Sequence, residues 1–298
     1  MASEGGSGTA RNDTVAVLGA GGTMGFPMAR NMLGASIAVR AWNRSAEKTQ
    51  PLARDGAEVC DSPAQAAQGA GVVLTMLSDA DAVVETMRAA LPAVGEGVLW
   101  LQMSTVGEEG TERCIELAGE HGIAFIDAPV LGTKAPAEQG KLVVLASGPQ
   151  KLRRRVQPIF DAVGQKTMWI ADAAGAGTRM KLVANSWVLT VTEGAAETIA
   201  LAEGLELDPV LLFEALDGGT LDLPYLRMKG KAMIERNFEP MFRLELAAKD
   251  ARLVEDAAKR RELDLPVLSA IARRMTEGAG EHGDKDMAAT YLTSTPRA

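Results

Sequence analysis

Histidine and cysteine are scarce in this chain of 298 residues: His121, His282, Cys60 and Cys114 are all there are. Two distant cysteines make neither a disulfide framework nor a zinc site. Two distant histidines give no H-E-x-x-H pair and argue against a histidine-based triad, and neither G-x-S-x-G nor a Walker A stretch occurs. A resident metal is therefore not expected. Aromatics reach only 4%, so Ala, Gly and Met fill the apolar share, which suits closely packed helices. No run of 18 apolar residues is present to span a membrane. The opening MASEGGSGTARND lacks the apolar core of a signal peptide and reads as a flexible tail over 1–12, with a cytoplasmic location expected. Positive charge is also in deficit, at a net −8. Nucleic-acid binders usually carry a basic field, so none is expected as a partner. The two basic clusters, Lys151–Arg155 and Lys259–Arg261, read as solvated helix faces.

From Thr14 apolar runs alternate with helix-like segments. TVAVLGA, IAVRAWNR, AAQGAGVVLTML, GVLWLQMST, GIAFIDAPV and KLVVLASG each hold a strand. Short apolar strands separated by helical stretches indicate a parallel, helix-covered α/β sheet. The alternation stops near Ala171, and from Thr178 onward the sequence is almost wholly helical. The expected organisation is a Rossmann-type dinucleotide-binding domain over 13–173, then an all-helical domain over 174–298. No solenoid-length repeat is evident.

VAVLGAGGTMG places a glycine-rich turn between the first strand and a helix. Glycines serve there because the backbone turns tightly and approaches a pyrophosphate, while the helix N-terminus presents N–H groups and a positive dipole end. The expected cradle is Gly19, Ala20, Gly21, Gly22, Thr23, Met24 and Gly25. The spacing departs from G-x-G-x-x-G: either the turn is one residue longer, or alanine fills its first position. The second strand ends in Asn43-Arg44-Ser45, where an NAD site usually carries a carboxylate for the ribose hydroxyl. Without that negative charge a 2′-phosphate is tolerated, and Arg44 offers it charge-assisted hydrogen bonds. NADP(H) is favoured over NAD(H).

GAGTRMKLVANSW, residues 175–187, reads as an apolar helix interrupted by Lys181 and Asn185. At i and i+4 the two share a face. A lysine snorkelling from a half-buried helix gives the same pattern as a lysine set to move a proton.

Together these stretches resemble the β-hydroxyacid dehydrogenases, which include the 3-hydroxyisobutyrate dehydrogenases, over roughly 13–293. MGFPMARNML after the glycine turn, WNRS, MSTV (Met103–Val106), DAPVLGTKAPAEQGKL, GTRMKLVAN and FRLELAAKDARL carry the resemblance in order and spacing. Lys134–Gly140, FEALDGG and NFEPMFRL lean toward the glyoxylate and succinic semialdehyde reductases. The resemblance implies a 6-phosphogluconate dehydrogenase-like fold: a Rossmann-type domain, an all-α C-terminal domain and a substrate cleft between them. It implies hydride transfer between nicotinamide and the carbonyl or hydroxyl of a small hydroxyacid, semialdehyde or related aldehyde. Lys181 is then the general acid/base and Asn185 its partner. Leu77, Ser104, Thr105 and Lys249 fall beside the cofactor, and Leu131, Gly132, Thr133 and Phe242 beside the substrate. Leu131 stands where the family commonly has a substrate-binding serine, which makes the loop more apolar.

Two other functions fit the same architecture. Imine reductases generally carry Asp or Tyr at the position of Lys181, and a non-catalytic scaffold would be expected to lack that lysine. The resemblance also implies a homodimer assembled through the helical domain.

Overall fold

The computed structural model describes residues 14–295; the expected tail over 1–12 lies outside them. Contacts divide the chain into two compact units. The first comprises residues up to Ser104, Gly110–Gly132 and Pro136–Gly177; the second comprises Thr105–Glu109, Thr133–Ala135 and the residues from Thr178 onward.

The first unit is built on nine strands: β1 (Val15–Leu18), β2 (Val39–Trp42), β3 (Glu58–Val59), β4 (Val72–Thr75), β5 (Leu99–Gln102), β6 (Ala124–Asp127), β7 (Val130–Leu131), β8 (Leu142–Ser147) and β9 (Gly164–Ala171). Their order is β3-β2-β1-β4-β5-β6-β8-β7, with β9 paired to β8. Along this order every pairing from β3 to β6 is parallel. β1, β4 and β5 are buried throughout, as expected for parallel strands covered on both faces.

The sheet is mostly rather than wholly parallel, since β8 meets β6 and β7 antiparallel and returns to parallel with β9. β9 was not expected as a strand. Its polar opening, Gly164 to Thr167, is largely exposed at the sheet edge, so it carries no apolar run. The helices around this sheet are α1 (Gly25–Gly34), α2 (Gln50–Arg54), α3 (Pro63–Ala67), α4 (Ala80–Ala90), α5 (Gly107–Glu120), α6 (Lys134–Glu138) and α7 (Arg153–Val163). Met28 and Met32 of α1 and Val156, Ile159 and Phe160 of α7 fill one core with Val15, Val17, Leu74 and Leu101. α4 begins where Asp79 accepts from the Ala82 amide at 2.8 Å, an N-cap that satisfies an orphan donor.

The basic cluster on α7 is not a plain solvated face. Arg153 pairs with Asp172 at 2.5 Å and stacks over Trp169, while Arg155 donates to the carbonyls of Gly71 and Gly97. In the second unit Arg261 likewise pairs with Glu108.

The second unit holds α8 (Ala176–Gly204, its first residues counted with the sheet), α9 (Val210–Leu216), α10 (Pro224–Ile234), α11 (Leu244–Lys259) and α12 (Pro266–His282), then a 3-10 helix over Met287–Thr293. Proline starts α10 and α12 at a position whose missing N–H costs nothing. The hydroxyls of Thr190, Thr192 and Thr198 bond back one turn along α8, so they sit in a helix without orphan donors. Leu244, Ala247, Ala248 and Ala251 of α11 pack with Ile271, Ala272 and Met275 of α12 and with Leu189 of α8. No helix among the described residues is long and apolar enough to cross a membrane.

Candidate active site

The glycine turn lies at the carboxyl end of β1, where the strand order reverses between β1 and β4. In open α/β sheets ligands bind at this switch point. Gly19 and Ala20 both donate to the Trp42 carbonyl at 2.9 Å, tying the turn to the end of β2. Gly19 has φ +103°, and a Cβ there would stand 2.1 Å from the Met76 carbonyl oxygen. A Cβ on Gly25 would stand 2.2 Å from the Gly19 oxygen. Gly19 is therefore the tight-turn glycine and Gly25 the close-packing one. Six positions separate them, so the turn is one residue longer than G-x-G-x-x-G, and the alanine-first alternative falls away.

A Cβ on Gly21 would meet the Asn43 carboxamide and Lys48 Cβ at 2.7–2.9 Å. Asn43 donates to the Ser45 carbonyl at 3.1 Å, and Arg44 beside it is exposed. The turn thus has the side-chain-free cradle a dinucleotide phosphate requires, with Arg44 and Lys48 as cations at its β2 side. Sequence reading did not single out Lys48.

Behind this cradle lies a buried polar network. The Trp100 indole donates to Thr75 Oγ1 at 3.0 Å, and Gln102 Oε1 accepts from the Ser104 amide at 2.7 Å. Ser104 Oγ accepts from the Leu77 amide at 2.8 Å. The structure brings Leu77 and Ser104 together, with the serine hydroxyl bound to the loop after β4. Leu131 is half-buried on β7. Gly132 follows at φ +130°, where a Cβ would come 2.6 Å from Leu142 Cδ2. Thr133, beyond it, groups with the second unit.

The start of α8 is held by a second network. Asp127 Oδ2 accepts from the Gly175 amide and from Ser147 Oγ, each at 3.1 Å, and Ser147 Oγ accepts from the Gly177 amide at 2.9 Å. Carboxylate and hydroxyl thereby meet N–H groups at the positive end of a long helix.

Four side chains of the second unit lie near one another. Asn185, buried on α8, donates to Asp250 Oδ2 at 2.7 Å. Lys249 Nζ lies 2.9 Å from the other oxygen of Asp250 and donates to the Thr105 carbonyl at 2.6 Å. Lys181, one turn before Asn185, is a partly buried side chain whose ammonium is poorly solvated. Burial pulls its pKa down from 10.5 to about 8, against the Asp250 charge, which raises it, while Lys249 lowers it further. Asp250 too was missed in the sequence. It falls three positions after Ala247 and four before Val254, inside the buried stripe of α11, and a carboxylate there was the available signal.

Phe242 packs against the α11–α12 core, and its amide donates to Asp286. A cavity of about 420 Å³ opens elsewhere, lined by Thr14, Val39, Arg40, Glu58 and Gln68 among others. It shares no residue with the glycine turn or the lysine cluster. Among the described residues no group of His, Cys, Asp and Glu is placed to hold a metal ion.

A lysine whose pKa burial lowers to about 8, near a carboxylate, is suited to giving or taking a proton. Comparison with known proteins agrees with a nicotinamide-dependent setting. Residues 14–171 match the NAD binding domain of 6-phosphogluconate dehydrogenase, and residues 175–293 match the NAD-binding region of NADP-dependent 3-hydroxyisobutyrate dehydrogenase. Glyoxylate/succinic semialdehyde reductase 1 of Arabidopsis thaliana is 33% identical over 252 residues, 84% of this chain and 87% of that protein. A probable 3-hydroxyisobutyrate dehydrogenase of Mycobacterium tuberculosis is 31% identical over 96% of this chain and 99% of its own. The solved Mycobacterium tuberculosis 3-hydroxyisobutyrate dehydrogenase with L-serine superposes with a TM-score of 0.85 at 29% identity. That match covers 94% of this chain and 98% of that one. With the glycine turn, the sheet order and the helical second half all accounted for by these matches, the chain belongs to the 3-hydroxyisobutyrate dehydrogenase-like family of NAD(P)-dependent β-hydroxyacid dehydrogenases and reductases.

Proposed function

We propose that this protein reduces the carbonyl of a small semialdehyde, oxoacid or related aldehyde, and oxidises the matching alcohol, with Lys181 as general acid/base and NADP(H) as preferred cofactor. The observation that carries this reading is the Lys181 environment: an ammonium brought to a pKa of about 8 beside the Asn185–Asp250–Lys249 cluster. When bound, the nicotinamide supplies or accepts the hydride. In reduction Lys181 gives its proton to the developing alkoxide oxygen; in oxidation the neutral amine takes it back. Asn185 does not titrate. Held by Asp250, it keeps its carboxamide on the lysine's face of α8. Gly19 to Gly25 form the phosphate cradle, with Ala20, Gly22, Thr23 and Met24 supplying its backbone between the constrained glycines.

The NADP(H) preference rests on Asn43, which brings no negative charge to the ribose, and on Arg44 and Lys48 nearby. Leu131, at the end of β7, favours a substrate with an apolar portion.

The test is turnover of succinic semialdehyde and glyoxylate with NADPH by wild type and Lys181→Ala. The variant should lose at least ~100-fold in turnover, the lower range for a lost general acid, while binding NADPH as wild type does. Undiminished turnover would sink the assignment.

The same reading includes a homodimer through the helical half. Val183, Trp187, Gly194, Thr198 and Leu201 recur at i+3, i+4 and i+7 along α8, giving one exposed stripe. Trp187 is 62% exposed and Leu201 61%. A stripe of this kind marks an interface more often than a free surface. Light scattering on wild type and on Trp187→Glu/Leu201→Glu separates dimer from monomer.

A further inference from the structure

Asp286 and Lys229 form an ion pair at 2.6 Å with side-chain exposures of 1% and 0%. Burying two charges costs several kcal/mol in desolvation, and a matched apolar pair often does as well for stability. The pair therefore calls for a reason beyond holding the fold.

Its geometry supplies one. Asp286 Oδ1 accepts from Lys229 Nζ and from the Ala288 amide at 3.0 Å. Its Oδ2 accepts from the amides of Met241 and Phe242 at 3.0 and 3.1 Å. Those two amides belong to an irregular segment between α10 and α11, where neither helix nor sheet offers a partner. The main chain adds to the clasp: Asp286 donates to the Phe238 carbonyl, Met287 to that of Phe242, and Leu244 to that of Lys285. Lys229 in turn lies 5.7 Å from the centre of the Tyr225 ring. Tyr225 donates its hydroxyl to Met287 sulfur at 3.4 Å. One buried carboxylate thus fixes the backbone of Met241 and Phe242, just before α11 begins.

We propose that Asp286 and Lys229 are positioning residues for the substrate side of the site: they set where Phe242 stands. This rests on the reading that Phe242 faces the substrate. Lys229 holds the carboxylate in orientation, so that both oxygens stay turned to the amides of residues 241, 242 and 288.

The test compares the full-length wild type with Asp286→Asn and Lys229→Gln, using succinic semialdehyde as probe and NADPH as cofactor. Asp286→Asn should raise KM for the probe by ~10-fold or more, as loss of substrate-side geometry does. NADPH affinity by fluorescence titration and the alkaline limb of the pH profile should stay where they are. Amide exchange at Met241 and Phe242 should quicken. Lys229→Gln, which keeps the carboxylate, should move the same readouts in the same direction by less, and it carries the test if Asp286→Asn does not fold. A lower melting temperature with unchanged KM and unchanged exchange at 241 and 242 would make the pair purely structural and overturn the proposal. A wild type inactive on every carbonyl, or a fully active Lys181→Ala, would instead bring down the underlying reading.

Discussion

Asn185 donates to Asp250 at 2.7 Å across 65 positions of chain, and the same carboxylate faces Lys249 through its other oxygen at 2.9 Å. Lys181 therefore titrates between an anion and a cation that oppose one another. Asp250→Asn removes the charge that raises the Lys181 pKa, so the pH at which reductive turnover falls should move below about 8. Lys249→Met removes the charge that lowers it, so the same limb should move up. Profiles of kcat against pH for the two variants check this, and shifts in the same direction would contradict it.

For the wild type, the protonated lysine is the acid of reduction and the neutral amine the base of oxidation. Reductive kcat should be level below pH 8 and fall through it, while oxidative kcat should rise through the same window. Steady-state rates in both directions across pH 6–10 decide the point.

Lys181 also burdens the fold. Its folded pKa lies below its ordinary 10.5, so the unfolded chain holds that proton more tightly. Below pH 8 both states are protonated and the folded state bears the full cost. Between about 8 and 10.5 the folded state releases its proton and the cost fades. Lys181→Met should therefore stabilise the protein at pH 7 by on the order of 1–3 kcal/mol while abolishing turnover, and the gain should shrink toward pH 10. Urea unfolding at the two pH values measures it.

Gly25→Ala places a Cβ 2.2 Å from the Gly19 oxygen, a contact only a shift of backbone can relieve. NADPH affinity should fall by more than ~10-fold and the melting temperature should drop. Gly34→Ala, with nothing within 4 Å of the added carbon, is the control. At the end of α1 it should leave affinity unchanged and stabilise by up to ~1 kcal/mol.

Arg44→Ala should raise KM for NADPH by ~10-fold and leave KM for NADH nearly unchanged, since an exposed arginine acts on the 2′-phosphate alone. Equal effects on both cofactors would remove Arg44 from the phosphate.

Strands whose residues are largely buried announce themselves as apolar runs, which is why β1, β4, β5, β6 and β8 are readable from the residues alone, and β2 follows from its alternation of buried and half-buried positions. β3 and β7, at two residues each, and β9, with a polar exposed opening, leave no such trace. Within the site, Lys181 and Asn185 are visible because they interrupt an apolar helix. Asp250 hides in a charged stretch, AKDARL, that reads as helix surface. Its role depends on which way α11 turns, and that follows from packing against α12 and α8. Lys229 and Asp286 hide for the same reason: each is an ordinary charged residue until a neighbour 57 positions away removes it from water.

α8 meets its surroundings at fixed heights along its axis: Asn185 at Asp250, Thr192 at Tyr225, and Glu193 at Thr290. Each added or missing residue turns everything beyond it by about 100° and slides it about 1.5 Å. Substitutions along its exposed stripe leave those appointments in place, whereas a one-residue insertion or deletion between 185 and 193 breaks one set or the other. In divergent descendants of this chain, α8 is the element whose spelling is free to drift while its length stays fixed.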